Sequence, residues 1–193
     1  MALTVDLETG RTAFADSVRG FLAAVDGFDE WGLLDASRCH GWTRLDVVVH
    51  VIAGWQEMLG GMVSPVADEP TVDAASYWPT FDETEAGEPV DTLMAQRRRT
   101  AAFARPSSAC TELRYVAEAV LRGAAALAEG HYLWQHQVFT AGDYLTIWAV
   151  EDVIHQVDLI SDHPVPATAL DLARATVAEL GGASLAGRLP EGG

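Results

Sequence analysis

The chain has 193 residues and a mass of 20.7 kDa, with 49% apolar and 21% charged residues, two cysteines and a formal net charge of -16 at pH 7. All twelve basic residues are arginine, against twenty-eight acidic ones, a balance that opposes binding to phosphate backbones or anionic lipid surfaces. A chain of this length holds a core without disulfides or a structural metal, so a single domain over residues 1–193 is expected, in which any metal has a functional role. The N-terminal stretch lacks the basic start and apolar run of a secretory signal, no apolar segment is long enough to span a bilayer, and Cys39 and Cys110 fit neither a CxxC site nor a disulfide framework. A cytoplasmic location is expected.

Helical periodicity dominates and alternation is nearly absent, which predicts an all-α fold. Phe14, Val18, Phe21, Leu22 and Val25 recur at spacings of three and four and give an amphipathic helix over 7–27. A polar loop follows, from Asp29 to Cys39. Thr43 and Asp46 form a capping-box pattern flanked by Trp42 and Val47 as a hydrophobic staple, opening a helix to Leu59 that Gly60-Gly61 should stop. The stretch Ser64 to Pro89, rich in Pro, Asp, Glu and Thr, reads as a long excursion anchored by Tyr77, Trp78 and Phe81. Helical pattern resumes over 91–104, pauses at Arg105-Pro106-Ser107, and returns with Leu113, Val116, Val120, Ala124 and Leu127 until Gly130. His131 to Phe139 has strand-like composition but no obvious partner strand and reads as irregular. Thr140 and Asp143 repeat the cap pattern and open a helix to Ser161, stopped by His163-Pro164; a last helix covers Ala167 to Leu180, and the glycine-rich tail is too short for another domain. Four substantial helices suggest a four-helix bundle with one or two additional helices.

The helix after Thr140 carries the chemistry. Val150, Val153, Ile154, Val157 and Ile160 form an apolar arc, and Asp152 and Gln156 mark a separate narrow face. Between them Tyr144, Trp148, Glu151, His155 and Asp158 follow at spacings of four, three, four and three, one line of aromatic and ionisable groups. Glu151 and His155, at i and i+4, can address one ion, with Asp158 steering the histidine; the same spacing also suits an ordinary helix-surface pair. His50, seven residues after the Thr43 cap, is the natural third donor, although the helical wheel sets it nearly opposite Leu45, Val48, Ile52, Trp55 and Leu59, where a surface histidine belongs. Two imidazoles and one carboxylate would leave a coordination position open, as in catalytic zinc sites, and nickel or iron accept the same donors. Cys39 beside His40 reads as a structural cysteine rather than a nucleophile, Arg97-Arg98-Arg99 as a solvated face rather than an anion grip, and His131 and His136 equally as pocket or loop residues. No glycine-rich phosphate loop, G-x-S-x-G elbow or HExxH occurs.

The stretch Cys39-His-Gly-Trp-Thr-Arg-Leu-Asp-Val-Val-Val-His50 resembles the GWTxxDVVxH signature of the mycothiol-dependent maleylpyruvate isomerase family, among the DinB-like metal-binding bundles. Asp143-Tyr-Leu-Thr-Ile-Trp-Ala-Val-Glu-Asp-Val-Ile-His-Gln-Val-Asp-Leu159 resembles its second signature, and the likeness runs from about residue 10 to 180, more loosely from Ser64 to Arg105. The resemblance implies that His50, Glu151 and His155 bind a divalent metal, usually zinc. It implies mycothiol as a thiol cosubstrate whose sulfur takes the open metal position and attacks an electrophilic carbon. Longer members carry a second, C-terminal domain that contributes to the active site; this chain is expected to lack it, and isomerisation of maleylpyruvate itself is not expected of it.

The resulting expectation is a metal-dependent thiol S-transferase or isomerase, with Tyr144 and Trp148 lining the open side of the metal and Asp158 orienting His155. Its partners would be a small-molecule thiol and an electrophilic substrate, with no nucleic acid and no membrane; a homodimer is compatible with the sequence. A non-enzymatic metal- or ligand-binding bundle acting as a sensor or interaction module, and a metal-dependent hydrolase, are the alternatives.

Overall fold

A computed structural model describes residues 3–80 and 89–181. Among these residues the expected all-α bundle is present. Helices α1 (Leu7–Asp26), α3 (Arg44–Met62), α5 (Pro106–Ala126) and α6 (Ala141–Asp158) form the four-helix core, with α1 packed along α6 and α3 along α5. Three further helices are added to it. The short α2 (Glu30–Leu34) sits against α3 and α5, α4 (Pro89–Thr100) lies on α3, and α7 (Ala167–Glu179) closes over α6 and α1. Phe14, Val18 and Phe21 of α1, Trp55 and Met58 of α3, Leu113 and Val120 of α5 and Leu145, Ile147 and Val153 of α6 are fully enclosed. Each such side chain contributes about 1.5–3 kcal/mol on leaving water. No helix is long and apolar enough to cross a membrane among the described residues.

Local chemistry explains most helix starts. Thr43 Oγ1 accepts from the Asp46 N–H while the Asp46 carboxylate accepts from the Thr43 N–H, the reciprocal box expected from sequence. The second pattern is only half such a box. Thr140 accepts from the Asp143 N–H, but Asp143 Oδ1 accepts from the Val5 N–H at 2.8 Å, so this buried carboxylate ties the N-terminal segment to α6. Pro106, expected in a pause, is the first residue of α5, where its missing N–H costs nothing. The loop expected between Asp29 and Cys39 contains α2, capped by Asp29.

Several ends differ from expectation for identifiable reasons. Gly60-Gly61 does not stop α3, which continues to Met62. A Cβ on Gly61 would overlap the Tyr144 hydroxyl, so this glycine serves close approach of the phenol, whose O–H donates to the Met58 carbonyl at 2.7 Å. Helix α5 ends at Ala126, before Gly130, and α6 ends at Asp158 because Ile160 is left-handed, with φ of 54°.

The largest correction concerns residues 131–140. His131–Trp134 (β2) and Gln137–Thr140 (β3) pair with each other as an antiparallel hairpin, and Pro65–Val66 (β1), from the excursion, adds a third strand on β2. The partner of the strand-like stretch is therefore its own second half. Gln135 and His136 form the two-residue turn with φ of 46° and 62°, the left-handed pair such hairpins require and that Asn-Gly usually supplies. Elsewhere in the excursion Tyr77 is buried and Trp78 partly so, as expected of anchors; Phe81 and the glycine-rich tail lie outside the described residues.

Gly61→Ala tests the close approach. Despite alanine's better helix propensity, overpacking against Tyr144 should destabilise the chain by about 1–3 kcal/mol in denaturant titrations. Part of that loss should return in the Gly61→Ala/Tyr144→Phe double variant; additive effects would contradict the contact.

Candidate functional site

Helices α3 and α6 run antiparallel, and their contacts keep one register. Arg44 Nε, at the start of α3, donates to the Leu159 carbonyl past the end of α6 at 2.7 Å. Further along, the His50 and His155 rings meet at 4.8 Å between centroids, Trp55 Nε1 donates to Asp152 Oδ1 at 2.9 Å, and Tyr144 reaches Met58. Numbers rise on one helix as they fall on the other, and this brings two segments a hundred residues apart together at His50.

The three expected donors are adjacent. His155 Nε2 lies 3.1 Å from Glu151 Oε2, and the His50 ring meets that of His155 edge to face at 77°. His50 is therefore not the surface histidine its wheel position suggests; Trp42 covers it, with rings 5.3 Å apart. Asp158 Oδ2 lies 3.2 Å from His155 Nδ1, an arrangement that assigns the Nδ1 proton to Asp158 and leaves Nε2 facing Glu151 and His50. The buried Nε2 atom makes no well-aligned hydrogen bond, so its 3.1 Å approach to Glu151 is an ion-pair contact. As the side chains stand, Glu151 and His155 touch each other directly, and among the described residues no group of three His, Cys, Asp or Glu side chains is arranged around a shared cation position.

These groups are held in unlike charge states. Burial, and then the neighbouring His155, push His50 down to about 4, so its imidazole is neutral. Burial also acts to lower His155, but Asp158 and Glu151 outweigh it and raise it to about 9. Burial and the adjacent Asp158 carboxylate push the Cys39 thiol up to about 12; it is no ready nucleophile, in keeping with a structural cysteine.

A half-open cavity of about 170 Å³ adjoins the cluster. Its far walls are Ala53, Gly54 and Trp55 of α3 and Trp148 of α6, closed by Trp134 and Gln135 of the hairpin and Arg99 of α4. Trp148 lines it, its ring edge resting on Gly54. Tyr144 does not line it. It is fully buried behind Trp148 and Trp134, a packing and hydrogen-bonding residue. Asp152 and Gln156, set on a separate narrow face by the wheel, are both buried, because α1, α3 and the segment after α6 cover that side: Asp152 binds Ser17 of α1 and Trp55 of α3, and Gln156 donates to the His163 and Pro164 carbonyls. Ile154 and Ile160, from the supposed apolar arc, are the partly exposed ones. His131 and His136 stay outside the cavity, the former binding the Asp68 carbonyl. Gln135, Trp134 and Arg99 were not singled out as site residues on their own. The hairpin that delivers the first two carries no glycine signal, and Arg99 sits in a run of three arginines of which it alone reaches this cavity.

Residues 12–160 match the model for the mycothiol maleylpyruvate isomerase N-terminal domain. The chain belongs to that family. Two solved structures, the mycothiol-dependent maleylpyruvate isomerase and a histidine-to-alanine variant of it, each superpose with a TM-score of 0.63 at 15% sequence identity, covering 90% of this chain and 70% of theirs. At that identity they establish the shared DinB-like fold. No curated protein matches the chain in sequence.

Because His155 is raised in the folded state, its protonation favours folding fully below the ordinary value of 6.5, and that contribution is lost as pH rises through about 9. In metal-free protein, Asp158→Asn should move the His155 NMR titration from about 9 toward 6.5 and flatten the loss of stability across that window. An unmoved titration would show that Asp158 does not hold the ring.

Proposed function

We propose that this chain is a thiol-dependent S-transferase or isomerase in which His50, Glu151 and His155 hold one divalent ion, most simply zinc, and mycothiol is the thiol cosubstrate. The observation that carries the reading is the buried Nε2 of His155, which makes no well-aligned hydrogen bond and stands between the Glu151 carboxylate, 3.1 Å away, and a neutral imidazole at the edge of a cavity. A buried ring held between two carboxylates, Glu151 and Asp158, is in a setting that favours positive charge, and two imidazoles with one carboxylate form the donor set of a catalytic zinc site with an open position. Membership of the family supplies the thiol.

A divalent ion there would supply Lewis acidity that lowers the pKa of a thiol sulfur, so that thiolate is available near neutral pH. The chain's own residues do the rest. Asp158 fixes the tautomer and orientation of His155, and His50 needs no deprotonation before it donates its lone pair. Trp134, Trp148, Ala53 and Gly54 give the cavity apolar walls that exclude water from a sulfur nucleophile. Arg99 and the Gln135 amide are hydrogen-bond donors in the lining, suited to the oxygen atoms of an electrophile. Gln135 is itself positioned, since Tyr77 donates to its Oε1 at 3.0 Å.

Purified protein should bind about one zinc per chain, with affinity that rises with pH up to about 9 as the ion displaces the His155 proton. His155→Ala should abolish metal binding while circular dichroism retains the helical signal. In cobalt-substituted protein, mycothiol should shift the visible spectrum. Metal binding with no response to thiol would favour a sensor or hydrolase, and loss of the helical signal in His155→Ala would make the metal structural.

A further inference from the structure

The cavity at His50 has about 170 Å³, below the roughly 300–1,000 Å³ of small-molecule sites, so any ligand beyond a few atoms must extend out of it. Ala53, Glu57 and Arg99 line both this cavity and a second hollow of about 710 Å³ between α3, the end of α4 and α5. The two spaces are therefore neighbours that meet at these three residues. The second has an apolar floor of Val49 and Ile52, the half-buried ring of Phe103, and a rim of Gln56, Glu57, Glu112 and Arg99.

Among the described residues neither carboxylate of this rim has an ion pair; Glu112 accepts a single long bond, 3.4 Å, from the Gln56 amide. An anionic ligand would meet two carboxylates in a chain of net charge -16. A purely apolar one would desolvate them without replacement partners. A neutral, hydroxyl-rich ligand suits both: its O–H groups donate to Glu57 and Glu112, its oxygens accept from Arg99 and Gln56, and its C–H face packs on Phe103 and the floor. We propose that this groove binds the polyhydroxylated, sugar-like portion of the thiol cosubstrate, while the sulfur end passes Arg99 into the cavity at His50. The identity of the ligand rests on the thiol reading above.

The test uses mycothiol S-methylated at its sulfur, which offers no thiolate to a metal, titrated calorimetrically into the full zinc-loaded chain. Wild type should bind it saturably. Gln56→Ala/Glu112→Ala should weaken binding about tenfold or more, as expected for lost hydrogen bonds to a charged group, with an unchanged helical signal because both residues lie at the surface. His155→Ala should bind it about as well as wild type, and N-acetylcysteine, which has no polyol, should respond equally to wild type and the double variant. No binding by wild type, or equal affinity in the double variant, would overturn the groove assignment. Groove-dependent binding without turnover of any electrophile would instead overturn the transferase reading and leave the groove standing.

Discussion

The antiparallel register of α3 and α6 is the constraint on which the candidate site depends. It is fixed by polar contacts in a setting where hydrophobic packing alone would tolerate sliding. The completely buried Asp152 carboxylate accepts from Trp55 Nε1 on α3 and from the Ser17 hydroxyl on α1 at 2.7 Å, joining three helices at one point. Arg44 ties one end of the pair to the Leu159 carbonyl and, 2.8 Å away, to the Gly32 carbonyl of α2, and Tyr144 ties the other to Met58. Shift either helix by one turn and these bonds break together. Glu151 precedes Asp152 and His155 follows one turn later, so a register set by Asp152 also sets which groups face His50.

That arrangement has an energetic signature. Burial raises Asp152 to about 7, so its ionised form is held at a cost that Ser17 and Trp55 only partly offset. Such a group is weak evidence for stability and is better understood as a device for specificity, since any other register would leave it buried without donors. Asp143, which burial also raises, is held by the Val5 N–H, and Asp46 accepts from Thr100 of α4 at 2.6 Å and thereby anchors the helix that carries Arg99. Rigid helices thus supply the donor cluster. The hairpin and α4 are secondary attachments that supply the remaining walls, a division in which ligand-facing variation falls on parts the core does not need.

The bundle was legible because its signals are local and redundant: 3.6-residue periodicity and the Thr43 and Thr140 caps. The stripe from Tyr144 to Asp158 was legible as a line of functional groups, but its surroundings were not. A helical wheel assumes one buried face, whereas α6 is covered on more than one side, so the separate narrow face of Asp152 and Gln156 proves to be a set of core ties. His50 was misplaced by the same assumption, because α3 meets α5 on one side and α6 on the other. The hairpin was missed since Gln135-His136 adopts left-handed geometry without the usual residues. Tyr144 was placed with Trp148 on the open side of the metal because spacing along a helix reports direction but not depth.

The central claim is that His50, Glu151 and His155 share one ion that still accepts a sulfur. X-ray absorption at the zinc edge of the loaded protein, before and after mycothiol is added, addresses it directly. The account predicts two imidazoles and only light-atom neighbours at first, then one sulfur at about 2.3 Å once the thiol is present. A single imidazole, or a first shell that the thiol leaves untouched, would contradict it.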